Sequence, residues 1–328
     1  MIFTRRRMIL KYHDFDKLVY LYPNTIHDLM QKKLTTYTLV LAAFLTVAAF
    51  ASYSEKSEAE PDNILPQIVK PVDLNKPFDF AGEPVPMDNF DVRERLDREL
   101  LINTYWHATT MLHIKSMYKY FPAIEKILAE NGIPDDFKFL AVAESSLRNE
   151  ISPKGAKGIW QFMGNTGEYY GLEINSEVDE RYHLEKATKA ACDYLKGYKK
   201  RFGDWTLSAA AYNMGGTRLA KDIQIQRAHN YYDLSLNSET SRYVFRVIAI
   251  KEILKNPRAF GFYLDEEQGY PPMDAYKEVE VNGPVENWGD FANEHNTTYR
   301  MLKVYNPWLI STKLTNKEGK TYKVKIPE

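Results

Sequence analysis

One carboxyl group stands out in the sequence because of the residues that precede it. Glu144 follows Phe137, Leu140 and Ala141 by seven, four and three positions, so a helix through this segment places all four on one face. An ionisable group on an apolar helical stripe costs free energy unless it is paired or functional. A salt bridge at the rim of a core is the ordinary interpretation. The functional interpretation is a carboxyl that an apolar site keeps protonated, so that it can donate a proton to a leaving oxygen.

The next informative segment is a glycine-punctuated loop, residues 152–163, with the sequence SPKGAKGIWQFM. Gly155 and Gly158 permit tight backbone turns or the close approach of a ligand. Gln161 carries an uncharged amide that can hold hydroxyls or an acetamido group. A loop that packs Trp160 into a core would have the same sequence, so this segment alone does not define a site.

The segment AAAYNMGG, residues 209–216, has the composition of a closely packed helix that ends at its glycines. Small residues let a helix approach its neighbour, and Gly215 is a suitable residue for the C-terminal cap. Tyr212 and Asn213 then lie at the helix end, where side chains can point into a cleft. Ordinary helix termination explains this segment equally well.

Apolar periodicity and capping residues predict that the region from 92 to 262 is mostly helical. Pro122 is expected to open a new helix at its first turn, because proline lacks the amide hydrogen that a helix interior needs. Gly203 and Asp204 are expected to end one helix and cap the next. The predicted helices run from Val92 to Tyr105, through His113 to Phe121, from Pro122, from Pro134, and over Leu184–Phe202, Trp205–Met214 and Ser241–Leu254.

The C-terminal region has a different pattern. Tyr276–Val281 and Tyr322–Ile326 alternate like short strands, and two helical stretches, Trp288–Glu294 and Tyr299–Tyr305, lie between them. We therefore predict a small β-α-α-β module over residues 274–328.

The N-terminal region predicts export. Residues 39–51 (LVLAAFLTVAAFA) form an apolar run that follows two lysines and is shorter than the roughly 20 residues of a membrane-spanning helix. It ends in an A-x-A cleavage pattern, and Met30 would begin a compact signal peptide. We expect residues 1–51 to be a leader with a signal peptide, or alternatively a retained membrane anchor. Residues 52–91, rich in proline and charged residues, are expected to be an extended linker.

Composition narrows the classes of function. The 328 residues include 43 Lys+Arg and 44 Asp+Glu, a formal net charge of -1, which gives no support for non-specific nucleic-acid binding. Cys192 is the single cysteine, so no disulfide can form within the chain, and its apolar neighbours indicate burial. The seven histidines show no HExxH or facial-triad spacing, and neither a metal nor an organic cofactor is predicted.

Taken in order, these motifs resemble those of lytic transglycosylases with the goose-type lysozyme fold, in the membrane-bound D-type branch. That family combines E-S, S-x-x-G-A-x-G-x-x-Q-x-M, A-Y-N-x-G and a late E-T-x-x-Y. The corresponding residues here are Glu144-Ser145, 152–163, 211–215 and 239–243. The likeness covers roughly residues 110–262. Met214 and Thr217 depart from the family's frequent A-Y-N-A-G-x-G.

The resemblance implies a mainly α, lysozyme-like (goose-type, SLT) catalytic domain over residues 92–262, followed by a small, degenerate LysM-like α+β module over 274–328. It implies that Glu144 is the sole acid/base in cleaving the β-1,4 bond between N-acetylmuramic acid (MurNAc) and N-acetylglucosamine (GlcNAc), with formation of 1,6-anhydroMurNAc. The implied substrate-binding residues are Ser152, Gln161, Met163, Tyr212, Asn213 and Tyr243. The implied partner is the peptidoglycan glycan strand, met in the periplasm or cell envelope, with membrane association if the N-terminal segment is retained.

Three alternatives stay open at this point. A goose-type lysozyme would hydrolyse the same bond and needs a second cleft carboxylate to position water. Asp179 and Glu180 are the nearest candidates, although they resemble structural residues, as do Arg181 and Asp204. A non-catalytic glycan-binding protein would have no need of Glu144. Chitin is the third alternative, because it also carries N-acetyl groups.

Overall fold

The computed structural model describes residues 23–54 and 70–328, which fall into two separate units. Helix α1, Pro23–Ser54, belongs to the first unit and contains the apolar run expected to be a signal peptide or anchor. Residues 1–22 of the expected leader and residues 55–69 of the expected linker lie outside the described residues. Within the described ranges, no helix is both long enough and apolar enough to cross a membrane.

The second unit is mostly helical and contains two small antiparallel sheets, so the mainly α class predicted from the sequence is confirmed. Short 3₁₀ helices occupy several of its connections. Its main elements in chain order are β1 (Asp79–Phe80), β2 (Glu83–Pro84), α2 (Phe90–Tyr105), α3 (His107–Glu130), α4 (Phe137–Ser145), α5 (Gly164–Tyr169), α6 (Leu184–Phe202), α7 (Trp205–Met214), α8 (Gly216–Gln226), α9 (Ser238–Lys255), β3 (Tyr276–Val281), α10 (Trp288–Glu294), α11 (Tyr299–Tyr305) and β4 (Tyr322–Pro327).

A single hydrophobic core joins the helices of the region from Phe78 to Phe262. Helix α4 lies inside it, since Phe137 and Leu140 have no exposed surface. Helix α9 packs against α2, α4 and α7. The ring of Phe137 meets Trp205 edge-on at a centroid distance of 5.2 Å. The core therefore fixes α4, and with it Glu144, against α9.

The boundary between α6 and α7 is set by the two residues predicted to cap them. Gly203 adopts a φ of +90°, a left-handed conformation that ends α6 at little steric cost. Asp204 Oδ1 accepts a hydrogen bond of 2.6 Å from the backbone N–H of Leu207, which caps α7. Both helix predictions are confirmed in their bounds.

The break predicted at Pro122 was wrong. Helix α3 continues from His107 to Glu130 with the proline inside it. Phe121, Ile124 and Leu128, on both sides of this position, are buried in the core. Their burial stabilises a continuous helix despite the hydrogen bond that proline cannot donate.

The segment expected to be the end of an extended linker instead packs onto the core. Phe78, Phe80 and Val85 are 2%, 0% and 6% exposed, respectively. Glu83 accepts hydrogen bonds from the backbone N–H groups of Trp205 and Thr206, at 2.6 and 2.8 Å, and so caps α7. The structure thus extends the compact unit to residues before 92, because the apolar residues between the prolines supply burial.

The predicted C-terminal β-α-α-β module is confirmed. Strands β3 and β4 pair antiparallel, with Tyr276 opposite Pro327 and Val281 opposite Tyr322. Helices α10 and α11 pack on this ribbon around a second hydrophobic cluster that includes Trp288. Val178, which precedes α6 in the chain, has no exposed surface and belongs to the same cluster. The module therefore shares its core with a loop of the helical region.

Candidate active site

Glu144 lies in the last turn of α4, on the stripe predicted from its spacing. Phe137, Leu140 and Ala141 on the same stripe are all fully buried. Ser146 ends the helix in a left-handed conformation, with a φ of +56°. The side chain of Glu144 is only partly buried, so it reaches the surface of the core at the point where the helix stops.

Tyr243 of α9 holds the carboxyl of Glu144. Its hydroxyl donates a hydrogen bond to Glu144 Oε1, and its side chain is 2% exposed. Burial raises the pKa of Glu144 to about 7, an effect that the Tyr243 hydrogen bond opposes, since a donor stabilises the charged form. The charge of Glu239 raises the same pKa further and that of Arg246 lowers it. Among the described residues, no lysine, arginine or histidine forms a salt bridge with this carboxyl.

Tyr212, in the last turn of α7, lies in the same group of residues. Burial raises its pKa well above the usual value, and the nearby Glu144 carboxylate raises it further. Its hydroxyl donates a 2.6 Å hydrogen bond to the carbonyl oxygen of Trp160. Tyr212 therefore ties the end of α7 to the glycine-punctuated loop, and its ring, rather than its hydroxyl, is what it can offer a ligand.

Asn213 is oriented from α9. Its Oδ1 accepts a 2.8 Å hydrogen bond from the hydroxyl of Thr240, which in turn accepts one of 2.9 Å from Asn237 Nδ2. With its carbonyl oxygen occupied in this way, the amide N–H₂ of Asn213 is the part left for a ligand. Thr240 was not singled out as a site residue, although it lies inside the E-T-x-x-Y motif.

The loop of residues 152–163 folds through its own hydrogen bonds. The hydroxyl oxygen of Ser152 accepts a 3.0 Å bond from Ala156 N–H. Gln161 has a φ of +50°, and its Nε2 donates to the carbonyl oxygens of Gly158 and Glu150 at 2.8 and 3.1 Å. The amide oxygen of Gln161 stays available, because both donated bonds come from its nitrogen.

One hydrogen bond fixes this loop beside α4, and a close contact packs it against Arg181. Ser145, next to the candidate acid, donates a 2.8 Å hydrogen bond to the carbonyl oxygen of Ile159. Gly158 has a φ of +80°, and a Cβ at this position would lie 1.8 Å from the carbonyl oxygen of Arg181. Only glycine fits there, which gives a structural reason for one of the two loop glycines. Met163, at the end of the loop, is 45% exposed.

The structure thus brings three of the predicted residues, Glu144, Tyr212 and Tyr243, into one cluster. Asn213 is adjacent to Tyr212 in the chain, and its side chain is held by Thr240. Ser152, Gln161 and Met163 lie on the loop that Tyr212 and Ser145 fasten, and no direct hydrogen bond joins them to Glu144 among the described residues.

A cavity of about 670 Å³, which the sequence did not predict, opens beside α4. Its wall includes the residue before Glu144, Ala143, and reaches α2, α3 and α9. The residues with polar or aromatic side chains that line it are Glu99, Asn103, Tyr105, Trp106, Thr109, His113, Ser146, Arg242 and Arg246. The i, i+4 spacing of the two arginines was the available signal in the sequence.

Comparison with known proteins gives the class of this chain. Residues 121–235 match the family model described as "Transglycosylase SLT domain", and residues 277–328 match "Soluble lytic transglycosylase C-terminal LysM-like domain". The chain therefore carries an SLT transglycosylase domain and, on the C-terminal side of it, a LysM-like domain.

Individual proteins are also similar to this chain in sequence. Two proteins named "Membrane-bound lytic murein transglycosylase D", from Escherichia coli (strain K12) and from Escherichia coli O6:H1, are each 30% identical over 239 residues. Each alignment covers 69% of this chain and 50% of the relative. The chain thus spans about half the length of the curated relatives it matches.

Proposed function

We propose that this protein is a peptidoglycan lytic transglycosylase that cleaves the MurNAc–GlcNAc β-1,4 bond and forms 1,6-anhydroMurNAc, with Glu144 as its only acid/base. The observation that carries the proposal is the state of this carboxyl. It lies in an SLT domain, burial raises its pKa to about 7, and its direct partner is the neutral hydroxyl of Tyr243. Such a group can hold a proton near neutral pH and still release it.

One carboxyl suffices if the nucleophile belongs to the substrate. Protonated Glu144 gives its proton to the oxygen between the two sugars, and the bond from that oxygen to C1 of MurNAc breaks. The substrate's acetamido group or the tight cleft stabilises the positive C1. The Glu144 carboxylate then takes the proton of the C6 hydroxyl as that oxygen attacks C1. The acid is regenerated and no water is consumed.

The other predicted residues have chemistry that suits a sugar. The free amide N–H₂ of Asn213 and the amide oxygen of Gln161 can bind an acetamido group or hydroxyls. Ser152 keeps its hydroxyl hydrogen, since its oxygen only accepts from Ala156. Met163 and the ring of Tyr212 can contact apolar sugar faces. The hydroxyl of Tyr243 positions the Glu144 carboxyl, and its hydrogen bond limits the rise in the pKa of that carboxyl.

A hydrolase of the goose-type lysozyme class is disfavoured by the two carboxylates nearest in sequence. Asp179 is 1% exposed and forms salt bridges with Arg181 at 2.7 Å and Lys157 at 3.2 Å. Glu180 pairs with Lys186 and accepts a 2.9 Å bond from the N–H of Glu173. Carboxylates held in this way are committed to structure and are poorly placed to activate water.

The proposed substrate and the N-terminal apolar run support the periplasm or cell envelope as the site of action. The names of the two Escherichia coli relatives describe those proteins as membrane-bound. We propose an envelope location for the present chain as well. N-terminal sequencing of the mature protein would show whether residues 1–51 are retained or removed.

Digestion of purified peptidoglycan by the full-length protein tests the reaction. Mass spectrometry of the products should show anhydromuramyl ends, lighter by one water than reducing ends. Reducing muramyl ends would instead identify a hydrolase, and the absence of any product would favour a binding role. A parallel digestion of chitin tests the remaining substrate.

A further inference from the structure

The cavity beside α4, here named the arginine recess, carries charged groups that the mechanism above does not use. Arg242 and Arg246 of α9 line it together with Glu99 of α2. The side chain of Glu99 is 1% exposed, whereas those of Arg242 and Arg246 are 33% and 26% exposed. Two guanidinium groups face one buried carboxylate, which leaves an excess of positive charge in the wall of the recess.

Each of the two arginines faces Glu99 with its Nε atom. Arg242 Nε donates to Glu99 Oε1 at 2.5 Å, and Arg246 Nε lies 3.7 Å from Oε2. The exposed Glu239 lies 3.5 Å from Nη1 of Arg246. Within the described part of the chain, both terminal nitrogens of Arg242 and Nη2 of Arg246 have no acceptor. Glu99 Oε2 is likewise buried without a hydrogen bond.

Free terminal N–H groups of arginine match one class of ligand particularly well. The planar guanidinium fork binds a carboxylate through two parallel hydrogen bonds. The other walls of the recess suit a sugar that carries such a group. Trp106 is 60% exposed and offers an aromatic face, and His113 Nε2 and Ser146 Oγ form a polar pair 2.9 Å apart. About 670 Å³ is enough room for a small saccharide, since ligand pockets typically occupy about 300–1,000 Å³.

The position of the recess connects it to the reaction. Ala143, in its wall, directly precedes Glu144 in α4. Arg246 is near enough to lower the pKa of Glu144, which shows that its charge is felt at the candidate acid. Glu144 does not itself line the recess, so a ligand group there would belong to a part of the bound strand that lies near the candidate acid.

We propose that Arg242 and Arg246 bind a carboxylate of the muramyl residue that reacts at Glu144, and that this contact selects murein over neutral chitin. The proposal rests on the proposed function, because that function supplies a substrate with carboxylates. Murein carries them either on the lactyl ether of MurNAc or on the attached peptide, whereas chitin has none. The arginine recess thus accounts for the choice between two polymers that share their acetamido groups.

Binding to the full-length Glu144→Gln protein separates recognition from turnover. Isothermal titration calorimetry would compare peptide-bearing GlcNAc–MurNAc, peptide-free GlcNAc–MurNAc and a GlcNAc disaccharide. The acidic ligand that carries the bound carboxylate is expected to bind at least about tenfold more tightly than the neutral one. Tighter binding of the peptide-bearing ligand would place the bound carboxylate on the peptide, and tighter binding of the peptide-free ligand would place it on the lactyl group. Equal affinity for all three ligands overturns the proposal.

The arginines are then removed in the same background. Arg242→Gln with Arg246→Gln is expected to erase the preference for acidic ligands and to leave the affinity for the neutral disaccharide unchanged. Because this change leaves Glu99 buried and unpaired, a second variant adds Glu99→Gln and so removes the three charges together. Arg218→Gln, at an exposed position on α8, is the matched control. A folded triple variant that keeps the preference would contradict the proposal.

Failure of the reaction and failure of the recess have different signatures. Reducing ends in the digestion of peptidoglycan would overturn the transglycosylase reaction while the calorimetry still shows the preference for carboxylates. Anhydromuramyl ends from a protein whose arginine variants bind all ligands unchanged would retain the reaction and reject the recess.

Discussion

Glu144 in the candidate active site and Glu185 at the junction with the LysM-like module are glutamates with opposite surroundings. Burial raises the pKa of both, and for Glu144 it prevails, giving a value of about 7. For Glu185 the partners of the carboxyl prevail: His183 and Lys325 lower its pKa to about 2. Glu185 receives a hydrogen bond from the ammonium group of Lys325, whereas Glu144 receives one from the neutral Tyr243.

The difference lies in the charge of the donor. A hydroxyl orients a carboxyl without fixing its charge, and a nearby cation keeps the carboxyl ionised. A second carboxylate at the junction, Asp179, is also paired with cations. Burial would raise the pKa of Asp179, but hydrogen bonds from Arg181 and Lys157 lower it. A carboxyl meant to donate protons near neutral pH has to be kept from direct ion pairing.

The junction nevertheless contacts the loop of the candidate active site. Asp179 N–H donates to the carbonyl oxygen of Trp308 in the module, at 2.9 Å. Arg181, paired with Asp179, donates to the carbonyl oxygens of Gly155 and Phe162, at 3.3 and 3.4 Å. The ion pair therefore connects the module to the loop that carries Gln161.

The largest expected effect is the loss of turnover in Glu144→Gln. The amide keeps the shape and can still accept from Tyr243, but it has no proton to give. We expect anhydromuramyl product to form at least about a thousandfold more slowly, within the range that general acid/base catalysis contributes. The melting temperature at pH 4 should be unchanged. The matched control is Glu168→Gln, an exposed position on α5, and activity near wild type in Glu144→Gln would remove this residue from the mechanism.

Asp179→Asn tests the carboxylate that its cationic partners keep ionised, in contrast to Glu144. It leaves the guanidinium of Arg181, which is 6% exposed, without its counter-charge. The free energy of unfolding, measured by urea denaturation, should fall by about 3 kcal/mol. Asp193→Asn breaks an exposed pair with Lys189 and should cost less than about 1 kcal/mol. Equal losses in the two variants would mean that the buried pair does not hold the junction.

Tyr243→Phe removes the neutral donor and retains the ring. The rate should fall by about tenfold to a hundredfold, because the carboxyl is no longer held in one orientation. The pKa of Glu144 should rise, since the hydrogen bond that favoured the charged form is gone. The alkaline limb of the pH–rate profile therefore moves to higher pH. Tyr169→Phe, an 81% exposed position, is the control, and a lower rate with an unmoved limb would assign Tyr243 a role in packing alone.

The raised pKa of Glu144 also predicts a pH dependence of stability. Between pH 4.5 and about 7 the folded state binds this proton and the unfolded state does not, so stability falls as the pH rises through this interval. Glu144→Gln lacks this loss. Its free energy of unfolding should match that of the wild type at pH 4 and exceed it by roughly 3 kcal/mol at pH 8. A constant difference between pH 4 and pH 8 would contradict the raised pKa.

Local signals in the sequence predicted much of the fold, and long-range packing produced the differences. Gly203 and Asp204 define a helix boundary through their own backbone and side-chain chemistry, so the predicted bounds of α6 and α7 agree with the structure. Pro122 misled because its cost to the helix is local, whereas the burial of Phe121 and Ile124 depends on distant partners.

In the candidate site, too, local features could be predicted from the sequence and long-range contacts could not. The spacing of Glu144 on its apolar stripe was visible in the sequence, as were the motifs that carry Tyr212, Asn213 and Tyr243. The hydrogen bond from Thr240 to Asn213 joins residues on two helices, and the arginine recess combines four helices, so neither had a local signature. The catalytic and substrate-binding roles themselves stay predictions until the variants are measured.

The smallest expected effect concerns the cation at the junction. Lys325→Gln removes a donor that keeps Glu185 ionised, and its cost should be below about 1 kcal/mol, because the glutamate is 37% exposed. The lowered pKa of Glu185 contributes stability that is complete above pH 4.5 and is lost as the pH falls toward 2. The difference in unfolding free energy between wild type and variant should therefore be larger at pH 6 than at pH 3. Lys323→Gln, whose pair with Glu278 is exposed on the same strand, serves as the control. A difference that grows as the pH falls would show that Lys325 acts through packing, and the contrast with Glu144 would then rest on Asp179 alone.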